Sequence, residues 1–309
     1  MSTNFNLKAN GKLLISGEYL VLNGAKALAF PICFGQEMIV TPISEPILKW
    51  NSIEKGINWF TASFNLQKLS VISTSDSTIA LKLQNILQTA HSLNSEFLAV
   101  NQCGYSIEVN ADYPLKWGFG SSSTLIYLIA NWAKINEFQL FKKLYKGSAY
   151  DLACASQQQP ILYQITDELP IVTPTKIGSA IKNHCLFAYL GNKQNSNIEI
   201  ERYKQLVIPT QKDIDRISEL AVEFCEISNE NELIELIKEH EQILSSILKK
   251  PVVAKQRFPD FKGAVKSLGA WGGDFAMFAS NKPLNELRTD LKQLGITTMF
   301  SYDELLIKQ

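Results

Sequence analysis

The sequence has no excess of charge of either sign: thirty lysines and arginines stand against thirty aspartates and glutamates. No basic block and no basic stripe interleaved with aromatics runs along it, which argues against nucleic acid as a partner. No stretch approaches the roughly eighteen apolar residues of a spanning helix. The opening MSTNFNLKANGK also lacks the charged-then-apolar layout of a signal peptide, so no membrane association is expected. Histidine is scarce. His91, His184 and His240 are far apart and have no ligand-type neighbours at metal spacing, so helix-surface or core roles are expected of them. The five cysteines, Cys33, Cys103, Cys154, Cys185 and Cys225, are odd in number, scattered and without a CxxC pair. They read as buried thiols of a reducing compartment, and a cytoplasmic protein follows.

What is present is enough apolar material for a sizeable core: 46% of 309 residues, suited to one large domain or two ordinary ones. Short β-branched or aromatic runs at Leu13–Ser16, Gln36–Ile43 and Ile57–Phe64, bounded by Gly, Pro, Asn or Ser, predict strands. Ser77–Leu93 places Ile79, Leu83, Ile86, Leu87 and Ala90 at helical spacing, and Gly104–Asn110 alternates through Tyr105, Ile107 and Val109. Beyond about residue 166 the pattern changes. It predicts a strand near His184–Leu190, helices near Lys212–Cys225 and Glu232–Leu248, a strand at Phe275–Ala279, and a helix Leu284–Leu294 stopped by Gly295. The expectation is an α+β chain of two domains, 1–166 and 167–309.

The segment that carries most chemistry is GFGSSS, Gly118 to Ser123, leading into the apolar run TLIYLIANWA. A glycine and serine turn that opens a helix presents unpaired backbone N–H groups at the positive end of the helix dipole, which is a phosphate-binding arrangement. Gly118 would let the backbone approach a ligand, Gly120 would permit a positive φ, and the hydroxyls of Ser121, Ser122 and Ser123 could reach phosphate or Mg²⁺. A plain structural turn is the other reading. The helix from Ser123 to Lys134 is apolar nearly all round and should be buried.

Three further segments add parts. NGKLLISGEYLVLNG sets Lys12 at the head of a strand, with Glu18 and Tyr19 at its exit; Lys12 is either a mobile charge beside a phosphate or an exposed lysine on an edge strand. KGSAYDLACA sets Asp151 at a helix start, as a proton acceptor or as a first-turn acid favoured by the dipole. SLGAWGGDFAMFAS adds a glycine-rich turn, Gly269, Gly272 and Gly273, before a strand. Together they are the parts of a phosphoryl-transfer site.

The order GKLLISGEYLVLNG, PLKWGFGSSS, GSAYDLACA, GAWGGDFAMF resembles the GHMP kinase superfamily over nearly the whole chain. Within it, GEYLVL and GSAYDLACA followed by ILYQ are most similar to the phosphomevalonate kinases. The resemblance implies a two-lobed fold, with a ribosomal-protein-like N-terminal domain containing a left-handed βαβ crossover and a ferredoxin-like C-terminal domain. It implies ATP and Mg²⁺ as cofactors and a small-molecule acceptor, in a monomer or homodimer. By position, Gly118, Gly120, Ser121, Ser122 and Ser123 match the phosphate loop, with Ser122 as the Mg²⁺-binding hydroxyl. Lys12 and Asp151 match the catalytic pair, and Gly269, Gly272 and Gly273 the turn that closes over the site. Lys193, in LGNKQNSN, is a candidate for balancing the charge of a phosphorylated acceptor, or a solvated loop lysine.

The resemblance is broken in two places. Trp271 stands where the family has a small residue, so it should shape the acceptor pocket or pack on a neighbour. The dozen residues before Gly147 leave no evident room for the family's helix that often bears a glutamate for Mg²⁺, Glu137 being the nearest acid. Phosphomevalonate is the acceptor the resemblance favours, mevalonate or another alcohol the alternative, and a catalytically retired nucleotide- or metabolite-binding relative the alternative of another class.

Overall fold

A computed structural model describes residues 4–99, 103–167, 169–191, 196–205 and 209–307. The chain forms two compact units. The first comprises residues 1–11, 34–115 and 119–156; the second comprises 12–33, 116–118 and 157–309. Compactness thus draws a different line from the sequence pattern.

The N-terminal half supplies strands β1 (Phe5–Ser16), β2 (Ala27–Ile43), β3 (Ile47–Glu54), β4 (Ile57–Asn65), β5 (Val71–Thr74) and β6 (Gly104–Ala111). Its helices are α1 (Ser77–Leu93), α2 (Ser121–Trp132), α3 (Glu137–Leu144) and α4 (Tyr150–Cys154). In the first unit the strand order is β5-β4-β3-β6-β2, with β3 parallel to β6 and the other of these pairs antiparallel. α1 forms because Ala80, Leu83, Ile86, Leu87 and Ala90 bury one stripe, and because the Asp76 side chain caps its start by accepting from Ile79 N. That stripe joins Trp50, Phe60, Phe64, Ile107 and Ile129 in the core of this unit. α2 is buried along most of its circumference, as its composition requires.

The segment before Gly147 corrects one expectation. It does hold a helix, α3, because Asn136 caps it by accepting from Gln139 N and Leu140 and Phe141 bury its inner face. Glu137 lies in its first turn.

The second unit adds β7 (Ile161–Gln164), β8 (Ile171–Pro174), α5 (Ser179–His184), β9 (Cys185–Tyr189), α6 (Ser196–Lys204), α7 (Gln211–Glu226), α8 (Glu230–Leu248), α9 (Val253–Arg257), β10 (Ala264–Leu268), β11 (Phe275–Ala279), α10 (Leu284–Gln293), β12 (Met299–Phe300) and α11 (Tyr302–Leu305). β7 pairs with β2 through Ala27–Ala29 and with β8. A four-stranded antiparallel sheet has the order β10-β11-β9-β12. Chain order β9, α7 and α8, β10, β11, α10, β12 with that strand order is the ferredoxin-like arrangement expected of the C-terminal half. All five residues of β11 are buried, which explains its uninterrupted apolar sequence.

Cys154 and Cys185 are buried and Cys225 half-buried, whereas Cys33 and Cys103 are exposed, against the expectation of five buried thiols. Among the described residues no helix is long and apolar enough to cross a membrane.

Candidate functional site

The glycine and serine turn forms as its residue types dictate. Gly120 is the N-cap of α2 with φ 92°, a left-handed conformation that side chains resist. Its carbonyl accepts from Ser123 N and Thr124 N, both at 3.0 Å. The amides of Ser121 and Ser122 therefore lie ahead of the helical ladder, at its positive end. Ser122 is exposed, Ser121 half-buried and Ser123 buried. The turn is braced from within: Thr124 Oγ1 donates to Gln36 Oε1 at 2.7 Å, and Phe119 packs on Phe34 and Tyr113.

Asp151 belongs to the same unit. It occupies the first turn of α4, whose cap Ala149 takes a left-handed φ of 64°. Tyr113, absent from the sequence reading, lies close enough to sense it. Burial raises the phenol of Tyr113 above its ordinary value and the Asp112 charge adds to that, with the Asp151 charge the smallest contribution, while Thr124 and Ser121 oppose it. Tyr113 is itself fully buried.

The second unit carries Lys12, Gly118 and the C-terminal turn. Lys12 is half-buried and its Nζ donates to Gly118 O at 3.1 Å, which is not the geometry of a solvated edge-strand lysine. Gly118 has φ 72°, and a Cβ there would collide with the Asp274 carboxylate. The close approach that glycine permits at this position is therefore made by a protein group. Asp274 was not singled out in the sequence; its only signal is the acid directly after Gly272 and Gly273.

Glu18 and Tyr19 do not reach solvent. Glu18, His240, Glu241 and Lys266 are all between 0 and 2% exposed. Lys266 Nζ lies 2.5 Å from Glu18 Oε1 and 3.7 Å from Glu241 Oε1. His240 Nε2 is 3.4 Å from Glu18 Oε2, and its Nδ1 is 3.8 Å from Glu241 Oε1. Burial raises both carboxyl groups, Glu241 to about 8, with Lys266 pulling the other way. The same burial, assisted by the Lys266 charge, holds His240 well below its usual range. Glu241 is therefore mostly protonated and His240 neutral at neutral pH, which limits the charge buried in the group.

The turn from Gly269 to Gly273 sits on this group. Ser267 N donates to Glu241 Oε2 at 3.2 Å, Gly272 N donates to Ser267 Oγ at 2.8 Å, and Gly273 N donates to Ala270 O at 2.8 Å. Trp271 N donates to Tyr19 Oη at 2.9 Å. Trp271 itself is buried, its Nε1 donating to Pro251 O at 3.2 Å, so it packs on a neighbour. A Cβ added at Gly269 or Gly272 would meet nothing within 4 Å. Lys193 lies outside the described residues.

No family model matches the chain, and no curated protein sequence does. Solved structures do match over nearly its whole length. Methanococcus jannaschii mevalonate kinase is 15% identical with a TM-score of 0.69, over 97% of this chain and 98% of that one. Streptococcus pneumoniae phosphomevalonate kinase, in complex with phosphomevalonate and AMPPNP, is 19% identical with a TM-score of 0.69, over 96% and 99%. Lactococcus lactis galactokinase complexed with galactose is 12% identical with a TM-score of 0.63, over 97% and 93%. The chain therefore has the GHMP kinase fold.

Proposed function

We propose that the protein is a small-molecule kinase that transfers the γ-phosphoryl group of MgATP to phosphomevalonate, giving diphosphomevalonate. The observation that carries the phosphoryl-transfer reading is the Lys12 Nζ bond to Gly118 O, at the entry to a helix-opening glycine and serine loop. A lysine amino group fixed by its bond to Gly118 O supplies a held positive charge, and such preorganised charge is the main source of catalysis in phosphoryl transfer. Phosphomevalonate as acceptor rests on the resemblance of GEYLVL and GSAYDLACA, supported by likeness in fold to the pneumococcal enzyme.

In this reading the amides of Ser121 and Ser122 bind nucleotide phosphate, and Asp151 orients the acceptor. Because the acceptor is itself a phosphate, Asp151 balances charge and fixes a hydrogen bond more than it abstracts a proton. Mg²⁺ suits the donors present. Among the described residues no group of three or more His, Cys, Asp or Glu could hold a cation alone, and Mg²⁺ commonly arrives on nucleotide phosphates with one or two protein oxygens. The Ser122 hydroxyl would be one of those oxygens. When bound, the ion would neutralise charge on the transferred phosphoryl group.

An alcohol acceptor is the second reading, favoured by the equal TM-score of the archaeal mevalonate kinase; Asp151 would then act as the base. An ADP-release assay across mevalonate, phosphomevalonate and sugars tests both. Release dependent on phosphomevalonate is expected; nucleotide binding without release to any acceptor would leave only a retired relative.

A further inference from the structure

The backbone at Tyr19 is strained in a specific way. Its φ of 61° and ψ of −50°, with Leu20 N donating to Glu18 O at 2.7 Å, make Glu18–Tyr19–Leu20 a γ-turn of the rare, positive-φ kind. For a bulky side chain this conformation is costly and persists only where surrounding contacts over-determine it. Those contacts are present. Glu18 is locked by Lys266 at 2.5 Å, and the Tyr19 ring lies 5.3 Å from that of Tyr203, whose hydroxyl donates to Asn23 Oδ1 at 2.5 Å. The strained turn delivers the Tyr19 hydroxyl to Trp271 N, 252 residues away in sequence.

At the glycine turn, three successive amides are already donated to protein acceptors: Trp271 to Tyr19, Gly272 to Ser267 and Gly273 to Ala270. Such a turn does not offer these amides to an anion. It acts as a wall of fixed shape, and the Tyr19 hydroxyl is the acceptor that fixes its middle.

We propose that Tyr19 is a positioning residue: through its hydroxyl it holds the Gly269–Gly273 turn in the shape that admits the phosphoryl acceptor. The proposal rests on the kinase reading above for its functional half, and on the hydrogen bonds alone for its structural half. Ser267 supports the same turn from the other side and serves as a parallel probe.

The test is Tyr19→Phe, which keeps the ring on Tyr203 and removes only the acceptor oxygen, with Ser267→Ala beside it. Amide hydrogen exchange over residues 267–275 is measured in the whole protein, and KM is measured separately for ATP and acceptor. Loss of one hydrogen bond should speed exchange in the turn about tenfold. Acceptor KM should rise by a similar factor with ATP KM unchanged. Unaltered exchange would overturn the proposal whatever the kinetics, and a raised acceptor KM with unaltered exchange would mean that Tyr19 touches the acceptor itself. Faster exchange with both KM values unchanged would also overturn it. A wild-type protein that phosphorylates nothing would sink the kinase reading and the positioning role together, while exchange would still decide whether Tyr19 holds the turn.

Discussion

Lys266 Nζ and Glu18 Oε1 stand 2.5 Å apart with both side chains inside the protein, one from the strand before the glycine turn and one from the exit of β1. His240 and Glu241 complete the group, and their protonation ties stability to pH. Glu241 is raised to about 8, so the folded state keeps a proton that the unfolded chain loses near 4.5. Stability from this group therefore falls as pH rises between those values. Glu18, also raised, acts in the same direction; His240, held low, acts oppositely, removing stability as pH falls below about 6.5. Between pH 6.5 and 8 only the carboxyl slope remains, amounting to about 2 kcal/mol. Urea unfolding across that window should show the decline in the wild type and a flatter curve for Glu241→Gln. Equal slopes would mean that Glu241 titrates normally.

Ser122 is exposed in the first turn of α2, so its hydroxyl has little to do in folding. Ser122→Ala should change stability by less than about 0.5 kcal/mol while strongly lowering Mg²⁺-dependent turnover. Full activity in the variant would remove Ser122 from the mechanism.

Lys12→Met and Asp151→Asn should each depress kcat strongly with ATP still bound. If the two act on one phosphoryl group, the double variant should lose less than the product of the single losses. Small, multiplicative effects in a double-mutant cycle would place them in separate tasks.

Much of the fold was legible because burial on one side writes a period into the chain. α1 and β11 are examples: one has its apolar residues at helical spacing, the other is apolar throughout because it is covered on both faces. The first half of β2, ALAFPICF, was not legible as strand, since a run buried mostly on both faces has no alternation. α3 escaped because eight residues give barely two turns of pattern. At the site, the conformations of Gly118 and Gly120 follow from residue type, but the partners do not. Lys12 could not be told from a solvated lysine until folding brought Gly118, 106 positions away, to its side chain. Glu18, His240, Glu241 and Lys266 come from three distant segments, and isolated charges in a sequence ordinarily read as surface. The placement of Trp271 against Pro251 is likewise a property of the fold alone.

The central claim is the identity of the acceptor, and the comparison of kcat/KM for phosphomevalonate and mevalonate at equal MgATP tests it most directly. A site that balances an extra dianion leaves cationic groups unpaired when the acceptor ends in a neutral alcohol, so discrimination should be large. The account predicts a ratio of at least about a hundredfold in favour of phosphomevalonate, on the order of 3 kcal/mol in transition-state binding. A preference for mevalonate, or no turnover of either by a protein that binds ATP, would contradict it.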